Sequence, residues 1–327
     1  MTSAESIPEQ QPAKSPYNLR DIPFWVYPAL IAVGSLSVTF WPLFRYLPAI
    51  WFADDTYYAH GVVIPICSAL IVWDRWDKLK VIPVKGSLWG LVGIAGVLYV
   101  LWFALRTEMH TFESLLLIFL LAASSLFVAG WRWLLGMPGV GADSGASGLF
   151  PHAPSWVRRS IGVLHDFWNN SLAVPIGYLV FALPMWDHLI DSYTLRTQMA
   201  STNFSVWILK VVGLHPFRED ATTIHLDNFT LDVGVACSGM KLVLAVSAIS
   251  VFFMIVAKLR WWGNAVLIAS ILPLSLLVNS IRIVMIAWVG NTWGSAAGKQ
   301  FHDYSGYISL VICFLALMKL TRVLGWK

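Results

Sequence analysis

The chain has 327 residues, of which 57% are hydrophobic and only 12% are charged, with a formal net charge of +4. Soluble domains carry roughly 25% charged residues, so this composition excludes a soluble globular protein and predicts an all-α polytopic membrane protein. The charge is small and forms no basic stripe interleaved with aromatic residues, which argues against a nucleic-acid partner.

The predicted elements begin with a polar tail at residues 1–22, followed by a single integral-membrane domain at 23–327. A bilayer core needs about 20 apolar residues per helix, so we expect about eight transmembrane helices in contact with the lipid bilayer. They are predicted at residues 24–44, 61–73, 87–105, 114–131, 167–183, 238–257, 264–289 and 304–321.

An outer loop at residues 184–236 is expected to contain two further elements. Residues 197–214 are amphipathic, which predicts a helix lying flat at the membrane interface. Residues 225–235 alternate apolar and polar side chains, which predicts a short extended segment before Cys237. That segment either pairs with its neighbour at residues 221–226 or offers an edge to another chain.

The distribution of basic residues predicts the orientation, because Lys and Arg collect in short loops on the cytoplasmic side. With the N-terminus inside, the inner segments hold most of the 22 Lys and Arg residues. Both termini are then cytoplasmic. The sixth and eighth spans begin at the outer face, and the seventh span ends there.

This topology brings three polar side chains that are distant in sequence to one depth at the outer leaflet. Cys237 immediately precedes the sixth span, and Arg282 lies in the outer half of the seventh. A short outer loop at residues 291–301 is expected to lead to His302, just before the eighth span. His60, at the outer mouth of the second span, shares this depth.

Cys237 has the surroundings of a reactive thiol. A free thiol has a pKa near 8.5, which a helix N-terminus and nearby cations lower. Cys237 stands at a predicted helix start, and its neighbours are Ser238, Gly239 and Lys241. It is therefore either an activated nucleophile with His302 as its base or a small buried hydrophobe.

The remaining cysteines and histidines carry weaker signals. Cys67 and Cys313 lie among apolar residues and are expected to pack in the interior. His60 is a second candidate for the base. The spacing of Cys and His residues matches no zinc site, so we expect no metal and no cofactor.

Arg282 carries a strong signal because a charge inside a span costs at least about 2.5–3.5 kcal/mol on insertion scales. It should therefore face a partner or a cavity, unless its side chain snorkels to the interface. Asn279 precedes it by three residues on the same helical face. We expect Asn279 to orient Arg282 by hydrogen bonding.

Five short segments resemble the exosortase/archaeosortase family of membrane cysteine transpeptidases. They are YAHGVVIP (58–65), the LP of FALPMW (181–186), VACSG (235–239), NSIRI (279–283) and HDYSG (302–306). The resemblance implies that Cys237, Arg282 and His302 are the catalytic residues. Archaeal members have arginine at the third place, so His302 points to the bacterial exosortase branch.

The resemblance also implies a substrate and a location. Residues 23–327 would be a catalytic domain in the bacterial inner membrane, with its site on the outer, periplasmic side. Its partners would be secreted proteins with a C-terminal Pro-Glu-Pro motif, a transmembrane helix and a basic tail. The enzyme would cleave this PEP-CTERM-type signal through a Cys237 thioester and transfer the protein to an unidentified acceptor in the cell envelope.

Other functions stay open at this stage. A transporter, or a protein that binds lipid-linked glycans, would use Arg282 and His302 for an anionic group and would tolerate loss of Cys237. A membrane thiol oxidoreductase would need a resolving cysteine. An intramembrane aspartyl or metalloprotease would need a Gly-x-Gly-Asp or His-Glu-x-x-His motif, and the sequence contains neither.

Overall fold

The computed structural model describes residues 34, 37, 38, 40–53, 56–106, 110–136, 163, 164, 166–234 and 237–326. The chain divides into two compact units, Met1–Phe44 and Arg45–Lys327, and every element that begins after residue 45 belongs to the second. The predicted polar tail at 1–22 and most of the predicted span at 24–44 lie outside the described residues.

The predicted helical architecture is confirmed. The helices are α1 (Trp41–Trp51), α2 (Val63–Leu79), α3 (Leu88–Arg106), α4 (His110–Ala129), α5 (Trp131–Leu135), α6 (Ala173–Tyr178, continued by a 3-10 turn at Leu179–Ala182), α7 (Asp187–Val211), α8 (Met240–Val256), α9 (Trp261–Trp293) and α10 (Ser295–Val323). A small sheet of β1 (Phe217–Arg218), β2 (Thr223–His225) and β3 (Thr230–Asp232) lies between α7 and α8 in the sequence.

The predicted count of about eight spans is not reproduced within the described residues. Four helices are long and apolar enough to cross a membrane, namely α3, the Phe112–Ala129 part of α4, α9 and α10. A fifth is obtained if Ala173–Ala182 and Asp187–Val211, which meet at a bend of 58°, form one broken span. Helix α8 is apolar but has only 17 residues.

Two of the predicted spans differ for identifiable reasons. The span predicted at 61–73 corresponds to α2, which extends further, to Leu79. Its last turns carry charged residues, including Arg75. The prediction at 167–183 is interrupted near Ser171. The buried Arg75 side chain donates hydrogen bonds to the backbone carbonyls of Trp168, at 2.6 Å, and of Ser171, which satisfies acceptors that the break leaves without helical partners.

The predicted outer loop at 291–301 is wrong. Helix α9 continues to Trp293 and α10 begins at Ser295, so only Gly294 separates them. Gly294 has φ of 90°, a left-handed conformation that glycine adopts without a steric penalty. A single residue therefore reverses the chain, and His302 lies inside α10 rather than in a loop.

The predicted interfacial helix at 197–214 corresponds to the second part of α7. The observed helix begins ten residues earlier than predicted, at Asp187, and ends at Val211. Its buried stripe includes small polar residues that allow close packing on α9. Ser205 Oγ donates to Ser280 O at 3.1 Å, and Ser280 Oγ donates to Ser201 O at 3.3 Å. Its position relative to the bilayer stays a prediction.

The predicted extended segment at 225–235 contains β3 and the end of β2, with a chain reversal between them. The strands pair antiparallel in the order β1-β2-β3, and Ile224 lies opposite Leu231. Pairing with the neighbouring segment at 221–226 is therefore present, and it leaves the outer edge of β3 to the second alternative, which stays a prediction. Ile224 and Leu231 pack with Cys237 and with Ile283 and Ile286 of α9 in one buried cluster.

The hairpin between β2 and β3 is fixed to the junction of α9 and α10. A Cβ atom on Gly290 would lie 2.6 Å from the ring of Phe229, and one on Gly298 would lie 3.1 Å from it. Only glycine leaves room for this ring between the helices. Asn228 N also donates to Asn291 Oδ1 at 2.9 Å. The sheet thereby holds the chain that leads to Cys237 against α9 and α10.

Candidate active site

Cys237 lies where the sheet passes into helix α8. Two tight turns lead to it from β3, because Gly234 N donates to Asp232 O and Cys237 N donates to Gly234 O, both at 2.9 Å. The residue is only 4% exposed. The thiol is therefore positioned by backbone hydrogen bonds and is largely shielded from solvent.

The backbone around Cys237 is fixed by three of the predicted supporting residues. Gly239 has φ of 84°, and a Cβ atom there would lie 3.0 Å from Asn279 Nδ2. Asn279 Nδ2 donates to Cys237 O at 2.8 Å, and the buried Ser238 Oγ accepts a hydrogen bond from Met240 N at 3.3 Å. Asn279 therefore holds the Cys237 backbone, whereas we expected it to hold Arg282.

His302 is the histidine that contacts the thiol. Its Nε2 lies 2.9 Å from Cys237 Sγ, and its Nδ1 lies 3.4 Å from Asp303 Oδ1. The His302 side chain is 25% exposed and that of Asp303 is 63% exposed. A thiol within hydrogen-bonding distance of an imidazole is the arrangement that generates a thiolate nucleophile.

Arg282 joins the same cluster through α10. Its Nε donates to Ser305 Oγ at 2.9 Å and its Nη2 to His302 O at 3.4 Å, while Ser305 Oγ donates to His302 O at 2.9 Å. Within the described residues, Nη1 has no hydrogen-bond partner. The guanidinium is thus turned toward α10 and held beside the Cys237–His302 pair, with donors left over.

A narrow cleft with a volume of about 10 Å³ lies beside Arg282. Lys241, Asn279 and Gly306 are among the residues that line it. The Oδ1 atom of Asn279 is buried and has no hydrogen-bond partner among the described residues. The cleft has room for about one water molecule, and the two cationic side chains in its lining, Lys241 and Arg282, make it suited to an oxygen atom with negative charge.

His60 lies beside Lys241 and Phe181. Burial, together with the positive charge of Lys241, lowers the pKa of His60 to about 4, although a hydrogen bond with the Phe181 backbone opposes the shift. His60 is therefore neutral at pH 7. Its Nδ1 atom is buried without a hydrogen-bond partner in the described part of the chain.

The segment around His60 packs against the segment around Pro184. Tyr58 Oη donates to Asp187 Oδ1 at 2.9 Å and accepts from Trp186 N at 3.1 Å. Trp51 Nε1 donates to Ala182 O at 2.8 Å. Two of the five segments that carry the family resemblance thus hold each other, while the other three meet at Cys237.

Two residues of the site were not identified from the sequence. Ser305 bridges Arg282 and the His302 carbonyl, and Asp303 approaches the far nitrogen of His302. Both lie in the HDYSG segment, and the three-residue spacing of His302 and Ser305 on one helix was the available signal. No group of three or more His, Cys, Asp or Glu side chains is arranged to hold a metal ion in the part of the chain that the structure describes.

Comparison with known proteins gives one match. A family model described as transmembrane exosortase matches residues 51–137 and 168–319, which together are most of the chain. The matched ranges contain Cys237, Arg282 and His302. No curated protein and no solved structure matches the chain.

Proposed function

We propose that this chain, which belongs to the transmembrane exosortase family, is a cysteine-type transpeptidase that cleaves a C-terminal sorting signal from secreted proteins. The family predicted from the sequence is confirmed, and it is a family of cysteine-type proteases and transpeptidases. The substrate class, the covalent mechanism and the residue roles below are our proposal.

The contact between Cys237 Sγ and His302 Nε2, at 2.9 Å, is the observation that carries the proposal. It supports a nucleophile and a base drawn from two elements that are 65 residues apart in the sequence. A protein that used this surface only to bind an anion would gain nothing from a thiol between the imidazole and the helix start. A thiol oxidoreductase would need a second cysteine, whereas this thiol faces a histidine.

The first half of the reaction forms a thioester. His302 Nε2 takes the proton of Cys237 Sγ, and the thiolate attacks the scissile carbonyl carbon to form a carbon–sulfur bond. Arg282 stabilises the resulting oxyanion with its remaining N–H donors. The carbon–nitrogen bond then breaks, and His302 returns the proton to the departing amine.

The second half of the reaction releases the protein to its acceptor. An amine of the cell envelope, or water, gives a proton to His302 and attacks the thioester carbonyl. The carbon–sulfur bond breaks, and Cys237 leaves as thiolate, which recovers its proton from His302. No oxidant, metal or cofactor takes part in this scheme.

The proposed location follows from the orientation predicted by the basic residues. The site would lie at the outer, periplasmic face of a bacterial inner membrane, with both termini cytoplasmic. A secreted substrate that is still tethered by a C-terminal transmembrane helix presents its Pro-Glu-Pro motif at this face. The depth of the scissile bond would then match that of Cys237.

The proposal is tested by following the size of a tagged protein that ends in a Pro-Glu-Pro motif, a transmembrane helix and a basic tail. It is co-expressed with the wild type, Cys237→Ala or the matched control Cys313→Ala, each quantified in the membrane fraction. We expect the wild type and Cys313→Ala to shorten the substrate, and Cys237→Ala to leave it intact.

Normal processing by Cys237→Ala would rule out the covalent mechanism. If the cellular phenotype of a deletion strain were restored by Cys237→Ala but not by Arg282→Ala, the site would instead bind an anionic group, as in a transporter or a lipid-linked glycan protein.

A further inference from the structure

The sheet that leads to Cys237 ends in an open edge. Strand β3 is the last strand in the order β1-β2-β3, and β2 is its partner on one side. A strand at the edge of a sheet presents a row of backbone N–H and C=O groups to any extended chain that approaches it.

The hydrogen bonds at the two ends of the β2–β3 pair fix this pattern. Leu226 N donates to Phe229 O at 2.8 Å, and Val233 N donates to Thr222 O at 3.1 Å. Antiparallel strands alternate between pairs that exchange hydrogen bonds and pairs that do not. The central pair of Ile224 and Leu231 therefore belongs to the bonded set, and the pairs on either side of it do not.

Thr230 and Asp232 consequently turn their backbone groups away from β2. Both residues are exposed. The carbonyl of Asp232 accepts from Gly234 N at 2.9 Å, which leaves the N–H and C=O of Thr230 and the N–H of Asp232. None of these three groups has a hydrogen-bond partner among the described residues.

The open edge is continuous with the candidate active site. Beyond Asp232 the chain makes the two turns at Gly234 and Cys237 and enters α8. Leu231 and Val233 pack in the same buried cluster as Cys237. An extended chain that follows β3 along its edge is therefore directed to the end of the sheet where the thiol lies.

We propose that the edge of β3 binds the substrate polypeptide as an added β-strand, through the backbone of the segment next to the scissile bond. The proposal rests on the function proposed above. The outward groups of Thr230 and Asp232 are two residues apart, which is about 7 Å in a strand and matches alternate residues of an extended peptide. The contacts are made by the main chain, so the edge holds a peptide of variable sequence in the register that presents its carbonyl to Cys237.

A proline substitution in β3 tests whether the backbone N–H groups of this edge bind the substrate. Asp232→Pro removes an outward N–H without removing a bond to β2, and proline is tolerated where an edge-strand N–H faces solvent. We expect kcat/KM for substrate cleavage to fall about 3- to 10-fold, as for loss of one hydrogen bond. The matched control Asp232→Ala keeps the N–H, so the effect is measured as the ratio of kcat/KM between Asp232→Ala and Asp232→Pro. The rate at which a small thiol reagent labels Cys237 should be equal in both variants.

An ester scan tests the substrate side and does not depend on how the variants fold. Synthetic peptides containing the Pro-Glu-Pro motif and the transmembrane helix each carry one ester in place of an amide whose nitrogen does not belong to proline, which removes one N–H. We expect the loss of cleavage to recur at every second position beside the scissile bond, because only alternate residues of an added strand face β3.

The outcomes separate the two proposals. If the wild type cleaves the peptides while Asp232→Pro matches Asp232→Ala and the ester scan shows no period of two, strand addition is wrong and the proposed function stands. If Asp232→Pro also loses thiol labelling, the ester scan alone decides. If the wild type cleaves no such peptide, both proposals fail.

Discussion

The two halves of helix α10 differ in the cysteine that each places and in its surroundings. The first half contacts Cys237, and the second half carries Cys313. Near its start, His302 contacts Cys237, and Ser305 bonds to Arg282 of α9. In its second half, Cys313 is fully buried among apolar side chains, including Leu317 of the same helix. The two cysteines are buried to nearly the same degree, but of the two only Cys237 contacts an imidazole. We therefore expect Cys237, and not Cys313, to be activated as a nucleophile.

The hydroxyl groups of α10 show the same difference. In the second half of the helix, Ser309 Oγ donates to Ser305 O at 2.8 Å and Thr321 Oγ1 to Leu317 O at 2.6 Å, both one turn back in the same helix. Ser305 also donates within α10, but its oxygen accepts from Arg282. Among these three hydroxyl groups of α10, only that of Ser305 also bonds to another helix, and Ser305 is the one that lies at the site.

Replacing His302 should have the largest effect on activity. His302→Gln removes the group that we propose takes the thiol proton, so we expect the cleavage rate to fall about 10²- to 10⁴-fold. His188→Gln, an exposed histidine on α7, is the matched control and should retain activity. Gel-based cleavage rates of the membrane-bound enzymes check this. A His302→Gln enzyme at the wild-type rate would show that the contact with Cys237 is only packing.

Replacing Arg282 should have the next largest effect. Arg282→Lys keeps the charge but cannot bond to Ser305 and an oxyanion with one planar fork, so we expect kcat to fall about 10²- to 10³-fold. The same substitution at Arg260, at the opposite end of α9, is the control. If Arg282→Lys raised KM and left kcat unchanged, Arg282 would bind the substrate without stabilising the oxyanion.

The residues that underlie these two predictions could be identified from the sequence. Cys237, Arg282 and His302 each stand beside or within an apolar run, and the orientation of the runs indicated a common depth. Which of these residues contact each other could not be predicted from the sequence. Asn279 was expected to orient Arg282 but bonds to Cys237 O, since the left-handed turn at Gly239 brings that carbonyl against α9.

The helix boundaries were the least predictable part of the fold. The pattern of apolar residues indicated where helices lie, but not that Gly294 alone reverses the chain before His302. Likewise, the break near Ser171 depends on Arg75, a residue more than ninety positions away that satisfies the free carbonyls. The interruption itself had a local signal, because Pro175 has no N–H to bond to the carbonyl four residues earlier. The residue that satisfies this carbonyl lies on another helix and leaves no sign in the neighbouring sequence.

Replacing Asp303 should have a smaller effect than either substitution above. Asp303 Oδ1 lies 3.4 Å from His302 Nδ1 and the carboxylate is mostly exposed. This contact becomes an ion pair while His302 holds the thiol proton, and an exposed ion pair contributes about 0.2–1 kcal/mol. Asp303→Asn should therefore lower the cleavage rate less than about tenfold. The difference from the wild type should shrink at high salt, which screens exposed charges. A loss as large as that of His302→Gln would show that Asp303 is indispensable.

His60 should affect stability and leave the chemistry nearly unchanged. Burial and the neighbouring Lys241 lower the pKa of His60 from 6.5 to about 4, so the unfolded chain binds a proton at a higher pH than the folded chain. The stabilisation is fully present above about pH 6.5 and is lost as the pH falls toward 4, up to about 3 kcal/mol. Thermal unfolding in detergent at pH 7 and pH 4.5 should show a smaller acid-induced loss for His60→Gln than for the wild type. Equal losses would contradict this assignment.

The most direct test of the account is the capture of the covalent intermediate. Purified enzyme is mixed with the signal-bearing substrate, quenched in acid and examined by intact mass and by peptide mapping. We expect a hydroxylamine-sensitive adduct on Cys237 in the wild type and in Cys313→Ala, and none in Cys237→Ala. Substrate cleavage that proceeds in Cys237→Ala, with no adduct on Cys237 in the wild type, would contradict the assignment of this thiol as the nucleophile.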